Sequence, residues 1–261
     1  MKKEFVITKQ KLQTLTKGSC FMASGGGGSF VMTKYMIEKE FDDNAKVVCI
    51  NPLDIKKSDW FYGAACMFPP SAMTKDKDMV SPIINVLSSM ETWFKNASKY
   101  EKEYEEFKSF DLFHPLEVGA SNSALPIIAL SKINKKDKRD IKIIDADTAG
   151  RSIPTLPLII FANYIKNRGI SWFPNFVASK TLADKNFNTG QFTFDNGTSL
   201  EEAFITLIMN QFEQCGGFSV FPMNGKVFMK NPSVFGTLTD SLEVGKIIEN
   251  PKLTQKKKAK E

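Results

Sequence analysis

Residues 141–157 read IKIIDADTAGRSIPTLP and follow residues 115–130, PLEVGASNSALPIIAL, across a short lysine-rich link. Within the first of these stretches, Ile141–Ile144 is a short, mostly β-branched run that predicts a buried strand. Asp145 and Asp147 come at the carboxyl end of this strand. Because residues i and i+2 of an extended segment point to the same side, both carboxylates are expected to face one space.

The two acids and Arg151 allow two interpretations. Open α/β sheets bind ligands beyond the carboxyl ends of their strands, which favours a functional site here. In the structural alternative, Asp147 caps a following helix and Arg151 pairs with Asp145. The pattern alone leaves both interpretations open.

Strands and helices alternate along the rest of the chain. The hydrophobic spacing predicts helices over residues 7–23, 30–41, 81–100, 124–133, 156–166, 199–214 (with Ser199 as its cap) and 233–248. It predicts strands over residues 46–50, 61–68, 116–119, 141–144, 172–179 and 190–194, and a hairpin turn at Asn224-Gly225 between 218–221 and 226–229. This order predicts an α/β fold, a layered αβα arrangement with a mostly parallel central sheet and antiparallel additions in the C-terminal half.

The length of the chain limits the number of domains, and the distribution of charge sets the C-terminal tail apart. A chain of 261 residues that is 42% hydrophobic can bury one large core, so residues 1–249 are expected to form one domain, with a split into two subdomains near residue 170 as an option. Residues 250–261 hold five lysines and one glutamate and predict a disordered tail. Without that tail the net charge of +6 falls to +2, which argues against a broad nucleic-acid surface. A targeting or nucleic-acid role for the basic tail itself is the alternative.

The four cysteines lack CxxC spacing and predict reduced thiols in a cytoplasmic protein. The first residues contain no long apolar segment, so no secretory signal is expected. No apolar run approaches the roughly 20 residues that a membrane span needs. We therefore expect a cytoplasmic protein that does not insert into a membrane.

A run of four glycines, Gly25, Gly26, Gly27 and Gly28, separates the first two predicted helices. Glycine permits positive φ angles and close backbone approach, and Ser29 stands where a helix cap is expected. Exposed amides at a helix start commonly receive an anion or a carbonyl oxygen. The alternative is a flexible hinge.

Four blocks together resemble the S-methyl thiohydantoin desulfurase family. The family opens with a helix and a glycine cluster like ITKQKLQTLTKGSCFMASGGGGS, and its E-x-G-G-x-N-x-x-x-P and D-x-D-G-x-G-R-x-x-P segments are similar to LEVGASNSALP and IIDADTAGRSIP. FGTLTDSLEVGKII is similar to the small-residue helix that closes its N-terminal domain. The matches are collinear over residues 7–249.

The chain departs from the family pattern at several points. Ala120 and Thr148 stand where family members usually have glycine, and Thr155 stands where they have an acid. Family members also continue into a second, largely β domain, whereas this sequence has the lysine tail. These departures keep open a catalytically inactive relative that binds a ligand or a partner.

The resemblance implies hydrolysis of a small-molecule substrate, a thiohydantoin or hydantoin-type five-membered cyclic amide, with a divalent metal ion such as zinc as an option and no nucleotide cofactor. It implies catalytic roles for Asp147, Asp145, Glu117 and Arg151, as general base, metal ligand or substrate anchor. Asn122 and the amides of Gly25–Gly28 are the implied substrate contacts.

Two further expectations concern the metal and the assembly. His114, the only histidine, could join Asp145 and Asp147 on a metal ion, but a lone histidine before a proline is also a common structural residue. A homo-oligomer is expected to cover the site, with the apolar residues 218–221 available for packing.

Overall fold

The computed structural model describes residues 4–164, 174–183, 185–194, 196–253 and 255. The α-helices in these ranges are α1 (Lys9–Met22), α2 (Phe30–Glu40), α3 (Ser81–Ala97), α4 (Ala120–Asp137), α5 (Gly197–Gln211), α6 (Gly225–Phe228) and α7 (Thr237–Glu249). The strands are β1 (Phe5–Ile7), β2 (Val47–Ile50), β3 (Trp60–Met67), β4 (Leu112–Phe113), β5 (Lys142–Ile144), β6 (Ala146–Asp147), β7 (Asn175–Ala178), β8 (Thr189–Phe192), β9 (Gly216–Asn224) and β10 (Val234–Phe235).

The main sheet has the strand order β1-β2-β5-β4-β3-β9-β7-β8. Its centre is parallel, because β2 pairs with β5, β5 with β4 and β4 with β3 in that sense. Strands β9, β7 and β8 are added antiparallel on one side, and β1 is antiparallel at the other edge. The predicted α/β fold, with a parallel centre and antiparallel strands from the C-terminal half, is confirmed.

Hydrophobic side chains cover both faces of this sheet. Neighbouring residues of a strand point to opposite faces, so Tyr62 packs in the cluster that contains α1 to α4, whereas Phe61 packs in the cluster that contains α5. The same alternation separates Ile143 from Ile144 on β5. The helices therefore form a layer on each face of the sheet.

Two glycines bring α1 and α7 into close contact. A Cβ atom on Gly18 would overlap the Ser241 carbonyl, and a Cβ atom on Gly245 would overlap the Thr14 carbonyl. The small residues that the sequence places in α7 therefore allow this helix to lie directly on α1, and this packing fixes the position of the N-terminus of α7.

Two predicted elements are wrong. Residues 116–119 form a loop, and the neighbouring strand is the earlier β4. The main-chain carbonyl of Leu116 accepts hydrogen bonds from the amide and the hydroxyl of Thr148, so this segment joins the turn after β6. The Asn224-Gly225 pair makes no hairpin: the Asn224 side chain accepts a hydrogen bond from Val227 N (3.2 Å) and caps α6, while β9 runs unbroken to Asn224.

Two predicted helices also need correction. Residues 156–164 form two short 3-10 turns, Leu156–Leu158 and Ile160–Asn163, in place of an α-helix. Helix α5 begins earlier than predicted, because Asn196 and not Ser199 caps it. The end of the predicted 156–166 helix, the start of the 172–179 strand and the proposed split near residue 170 lie outside the described residues.

The segment expected to be available for packing between subunits is in the core. Phe218, Val220 and Phe221 on β9 are all less than a tenth exposed, so that expectation is wrong. Most of the lysine tail, residues 254 and 256–261, lies outside the described ranges. In the described part of the chain, no helix combines the length and the apolarity that crossing a bilayer requires.

Candidate active site

A cleft of about 700 Å³ lies at the carboxyl end of β3, next to the loop that follows β4. This volume suits a small organic ligand. Three continuous stretches of the chain form much of its wall: Gly25–Ser29, Ala65–Pro70 and Ser152–Leu156. Its other lining residues are Met73, Leu116, Glu117, Asn122, Ile159, Glu201, Ile205, Met209 and Phe218.

Glu117 lines the cleft, and both of its carboxylate oxygens accept hydrogen bonds from the chain. Asn122 Nδ2 donates to its Oε1 across 2.6 Å, and Ile153 N donates to its Oε2 across 2.6 Å. Burial raises the pKa of Glu117 to about 7, with a smaller contribution from the negative charge of Asp147, while the hydrogen bonds from Ile153, Ser152 and Asn122 oppose the rise. Glu117 can therefore exchange a proton near neutral pH, as a general base requires.

The glycine loop is tightly packed against the start of α4. The Gly27 carbonyl accepts from Ser121 N (2.7 Å) and Asn122 N (3.3 Å), so it caps this helix. Gly27 has a φ angle of +71°, which favours glycine. A Cβ atom on Gly28 would overlap the Ser121 hydroxyl. These contacts indicate that the glycine loop forms an ordered wall of the cleft, and they argue against the alternative of a flexible hinge.

The four glycine amides divide into two pairs. Gly25 N and Gly26 N donate to the carbonyls of Cys20 and Ala23, both at 2.9 Å. The amides of Gly27 and Gly28 donate to none of the residues that the structure describes. An anion receptor at this loop would therefore use Gly27 and Gly28.

Asp145 binds the N-terminus of α7. Its Oδ1 accepts from the amides of Leu238 and Thr239, each at 3.0 Å, and its Oδ2 accepts from the Thr239 hydroxyl at 2.6 Å. The pair of β6 and β10 places this helix start beside the carboxylate, since Gly236 N also donates to the Asp145 carbonyl. Asp145 is buried and acts as a helix cap in this arrangement.

Asp147 lies against the same helix end. Its Oδ1 accepts from the amides of Ala149 and Gly150, and its Oδ2 is buried without a hydrogen-bond partner among the described residues. Burial raises the pKa of Asp147 above its usual range, and the Thr237 side chain is close enough to the carboxylate to oppose this rise. The two acids thus face a common neighbour, the start of α7, and neither lines the cleft.

Arg151 and His114 also lie away from the cleft lining. Arg151 is exposed and forms no ion pair with a described residue; the expected pairing with Asp145 is replaced by the contacts of α7. The His114 ring is buried among Phe61, Phe161 and Phe228, and burial lowers its pKa to about 3.

The three residues expected to bind a metal, Asp145, Asp147 and His114, do not form one ligand set in the described part of the chain. The Asp145 oxygens are engaged by the start of α7, and the His114 ring packs among aromatic rings. Among the described residues, no three histidine, cysteine, aspartate or glutamate side chains come together as a ligand set. Of the residues expected at the site, the structure gathers Glu117, Asn122 and the four glycines.

Glu201 on α5 is a cleft residue that the sequence did not indicate. Its Oε2 accepts from Leu156 N at 3.1 Å, and burial raises its pKa. In the sequence it stands in the first turn of a predicted helix, where an acid is common on electrostatic grounds alone. Only the packing of α5 against the segment 152–156 brings it to the cleft.

Comparisons with known proteins give one family and one fold. The family model described as S-Me-THD-like, N-terminal domain, matches residues 10–187. The crystal structure of a protein from Chromobacterium violaceum superposes with a TM-score of 0.78 at 21% identity, over 97% of this chain. The chain spans 64% of the length of that protein. No curated protein matches the sequence.

Proposed function

The chain belongs to the S-Me-THD-like family, and on this premise we propose that it hydrolyses a thiohydantoin or hydantoin-type five-membered cyclic amide in the cleft beside Glu117. The observation that carries the proposal is the setting of Glu117. It is a mostly buried carboxyl group with a pKa near 7, fixed by two hydrogen bonds in a cleft of ligand size.

The reaction needs a base for water. In an S-methyl thiohydantoin, the ring carbon that carries sulfur is the electrophile. Glu117 accepts a proton from a water molecule while the water oxygen bonds to that carbon, and the C=N electron pair moves to the ring nitrogen. The ring nitrogen takes up the proton of the added hydroxyl group, the C–S bond breaks as the carbonyl forms, and the departing thiolate takes up the proton from Glu117. Water is consumed, and a hydantoin and a thiol are produced.

Charge builds on the ring during this addition, and two groups are available to stabilise it. The unpartnered amides of Gly27 and Gly28 can donate to a ring nitrogen or a carbonyl oxygen. Asn122 keeps the Glu117 carboxylate oriented toward the cleft. Asp145, one of the residues expected to bind a metal ion, accepts hydrogen bonds from the start of α7, and His114 packs in the aromatic core.

The test is turnover of an S-methyl thiohydantoin, followed by thiol release. The Glu117→Gln variant keeps the size of the side chain and removes the base, so turnover should fall by about 100-fold or more. Glu202→Gln is the matched control, since Glu202 is an exposed neighbour of the cleft residue Glu201 and does not line the cleft. Equal turnover by wild type and Glu117→Gln would refute the proposal.

A ligand-binding protein without catalysis is the second candidate. Both oxygens of Glu117 already accept hydrogen bonds from the chain, which is also how a purely structural carboxylate is held. Binding of the ring without turnover would favour this candidate. Calorimetric titration of the wild type with a hydantoin, beside the turnover assay, separates the two.

A further inference from the structure

Two carboxylates and no positively charged side chain line the described part of the cleft. The acids are Glu117 and Glu201. Lysine, arginine and histidine are missing from the described lining. The charged side chains of the described lining are therefore all acidic.

Backbone amides of one short segment, residues 153–156, donate hydrogen bonds to both acids. Ile153 N donates to Glu117 Oε2, and Leu156 N donates to Glu201 Oε2. These two nitrogens are three residues apart, so no more than about 11 Å separates them along the chain. Both carboxylates are therefore bound by the same segment and line the same cleft.

The second oxygen of Glu201 is available to a ligand. Glu201 Oε1 has no hydrogen-bond partner among the described residues, whereas both oxygens of Glu117 are engaged. Glu201 is partly exposed, so it can meet a ligand without a change of fold. The apolar residues Met67, Phe68 and Met209 complete the surroundings and suit the carbon part of a substituent.

We propose that Glu201 is a specificity-determining residue, and that the cleft binds cyclic amides with a neutral or cationic ring substituent more tightly than those whose substituent carries a carboxylate. This inference rests on the proposed function for the ring itself. A ligand carboxylate would lie in a cleft with two acids and gain no compensating cation from the described lining. An N–H or ammonium group on the substituent would instead donate to Glu201 Oε1.

The experiment measures binding by calorimetry near neutral pH with three hydantoins. Carboxyethyl-hydantoin and carbamoylethyl-hydantoin are nearly equal in size and differ in charge, and aminobutyl-hydantoin carries a cation. The wild type should bind the carbamoyl compound about fivefold more tightly than the carboxylate, as expected for a partly exposed charge. The ammonium compound should bind at least as tightly as the carbamoyl compound.

Variants of neighbouring residues assign the effect to one side chain. Glu201→Gln should bring the carboxylate and carbamoyl affinities together, and Glu201→Lys should reverse their order. Glu202→Gln and Glu202→Lys change the charge of an exposed neighbour outside the cleft and should keep the wild-type order. Equal binding of the two compounds by the wild type, or the same change in the Glu202 variants, would overturn the proposal.

The proposed hydrolase activity and the proposed role of Glu201 can be refuted independently of each other. Hydantoins that bind in this order, together with no turnover of the S-methyl thiohydantoin, would refute the hydrolase and leave the role of Glu201 intact. Rings that are hydrolysed without any charge preference would refute the role of Glu201 alone. If none of the three hydantoins binds, the role of Glu201 is refuted, and the turnover assay with the S-methyl thiohydantoin decides the hydrolase by itself.

Discussion

Gly27 and Gly119 meet so closely that a Cβ atom on either residue would lie 2.7 Å from the Cα atom of the other. This contact joins the glycine loop to the residue that precedes α4. It lies between the capping carbonyl of Gly27 and the Glu117–Asn122 hydrogen bond. The wall of the cleft and the orientation of its base therefore depend on the same close approach.

Gly27→Ala should destabilise the fold more than Gly25→Ala. Both glycines have positive φ angles, +71° and +82°, so each alanine costs about 1 kcal/mol of backbone strain. Only the Cβ atom at residue 27 meets neighbours, whereas the one at residue 25 meets open space. The overlap adds about 1–3 kcal/mol. Denaturant unfolding of both variants measures the difference, and equal losses would contradict the close approach.

The free energy of unfolding should depend on pH through the titration of Glu117. Because its folded pKa is raised from 4.5 to about 7, the folded state holds this proton more tightly than the unfolded state. Its contribution to stability is present below pH 4.5 and is lost as the pH rises to about 7, a change of about 3 kcal/mol.

Glu117→Gln removes this titration. The variant should therefore gain stability relative to the wild type between pH 5 and pH 8, measured by denaturant unfolding at both values. Glu202→Gln should show no such relative gain. A constant difference between wild type and Glu117→Gln across this range would contradict the raised pKa.

Asp145→Ala should destabilise the fold by about 2 kcal/mol or more, because two amides at the start of α7 lose their buried acceptor. Asp145→Asn keeps one acceptor oxygen and should cost less. Neither change alters the cleft lining, so hydantoin binding by the folded Asn variant should be unchanged. A stable Asn variant that has lost turnover would instead support the catalytic role implied by the family resemblance.

Mild oxidation should join Cys66 and Cys215. Their sulfur atoms are 3.5 Å apart, and Cys66 lines the cleft. The hydrogen bond from Cys66, helped by the charge of Lys77, lowers the pKa of Cys215. With hydrogen peroxide, the two thiols lose two hydrogen atoms and the peroxide is reduced to water.

Thiol titration and peptide mapping measure this reaction. The number of free thiols should fall from four to two, and the cross-linked peptides should contain Cys66 and Cys215. A Cys20→Ser variant should form the same link, and a Cys215→Ser variant should not. Four free thiols after treatment, or a link through Cys20, would contradict the prediction.

Much of the fold could be predicted because its signals are local. The β-branched run of Ile141–Ile144 and the spacing of the α3 residues reflect burial on one face, which repeats with the period of the strand or helix. Ser29 was correctly expected to cap α2, and its Oγ accepts from Met32 N. The hairpin at Asn224 failed because an asparagine before a glycine can also cap a helix, and only the strand pairing with β3 decides between these outcomes.

The residues of the candidate site likewise fall into those that the sequence indicated and those that only the tertiary structure brings together. The sequence indicated the glycine loop by its residues alone, and it indicated Glu117 and Asn122 through the family resemblance. It also indicated that Asp145 and Asp147 face one space. What fills that space was decided by the packing of α7 on α1, which places helix amides where a ligand was expected. Glu201 comes to the cleft only because α5 lies on the segment 152–156. Contacts between segments far apart in the chain leave no periodic trace in sequence, so only the tertiary structure assigns these carboxylates their neighbours.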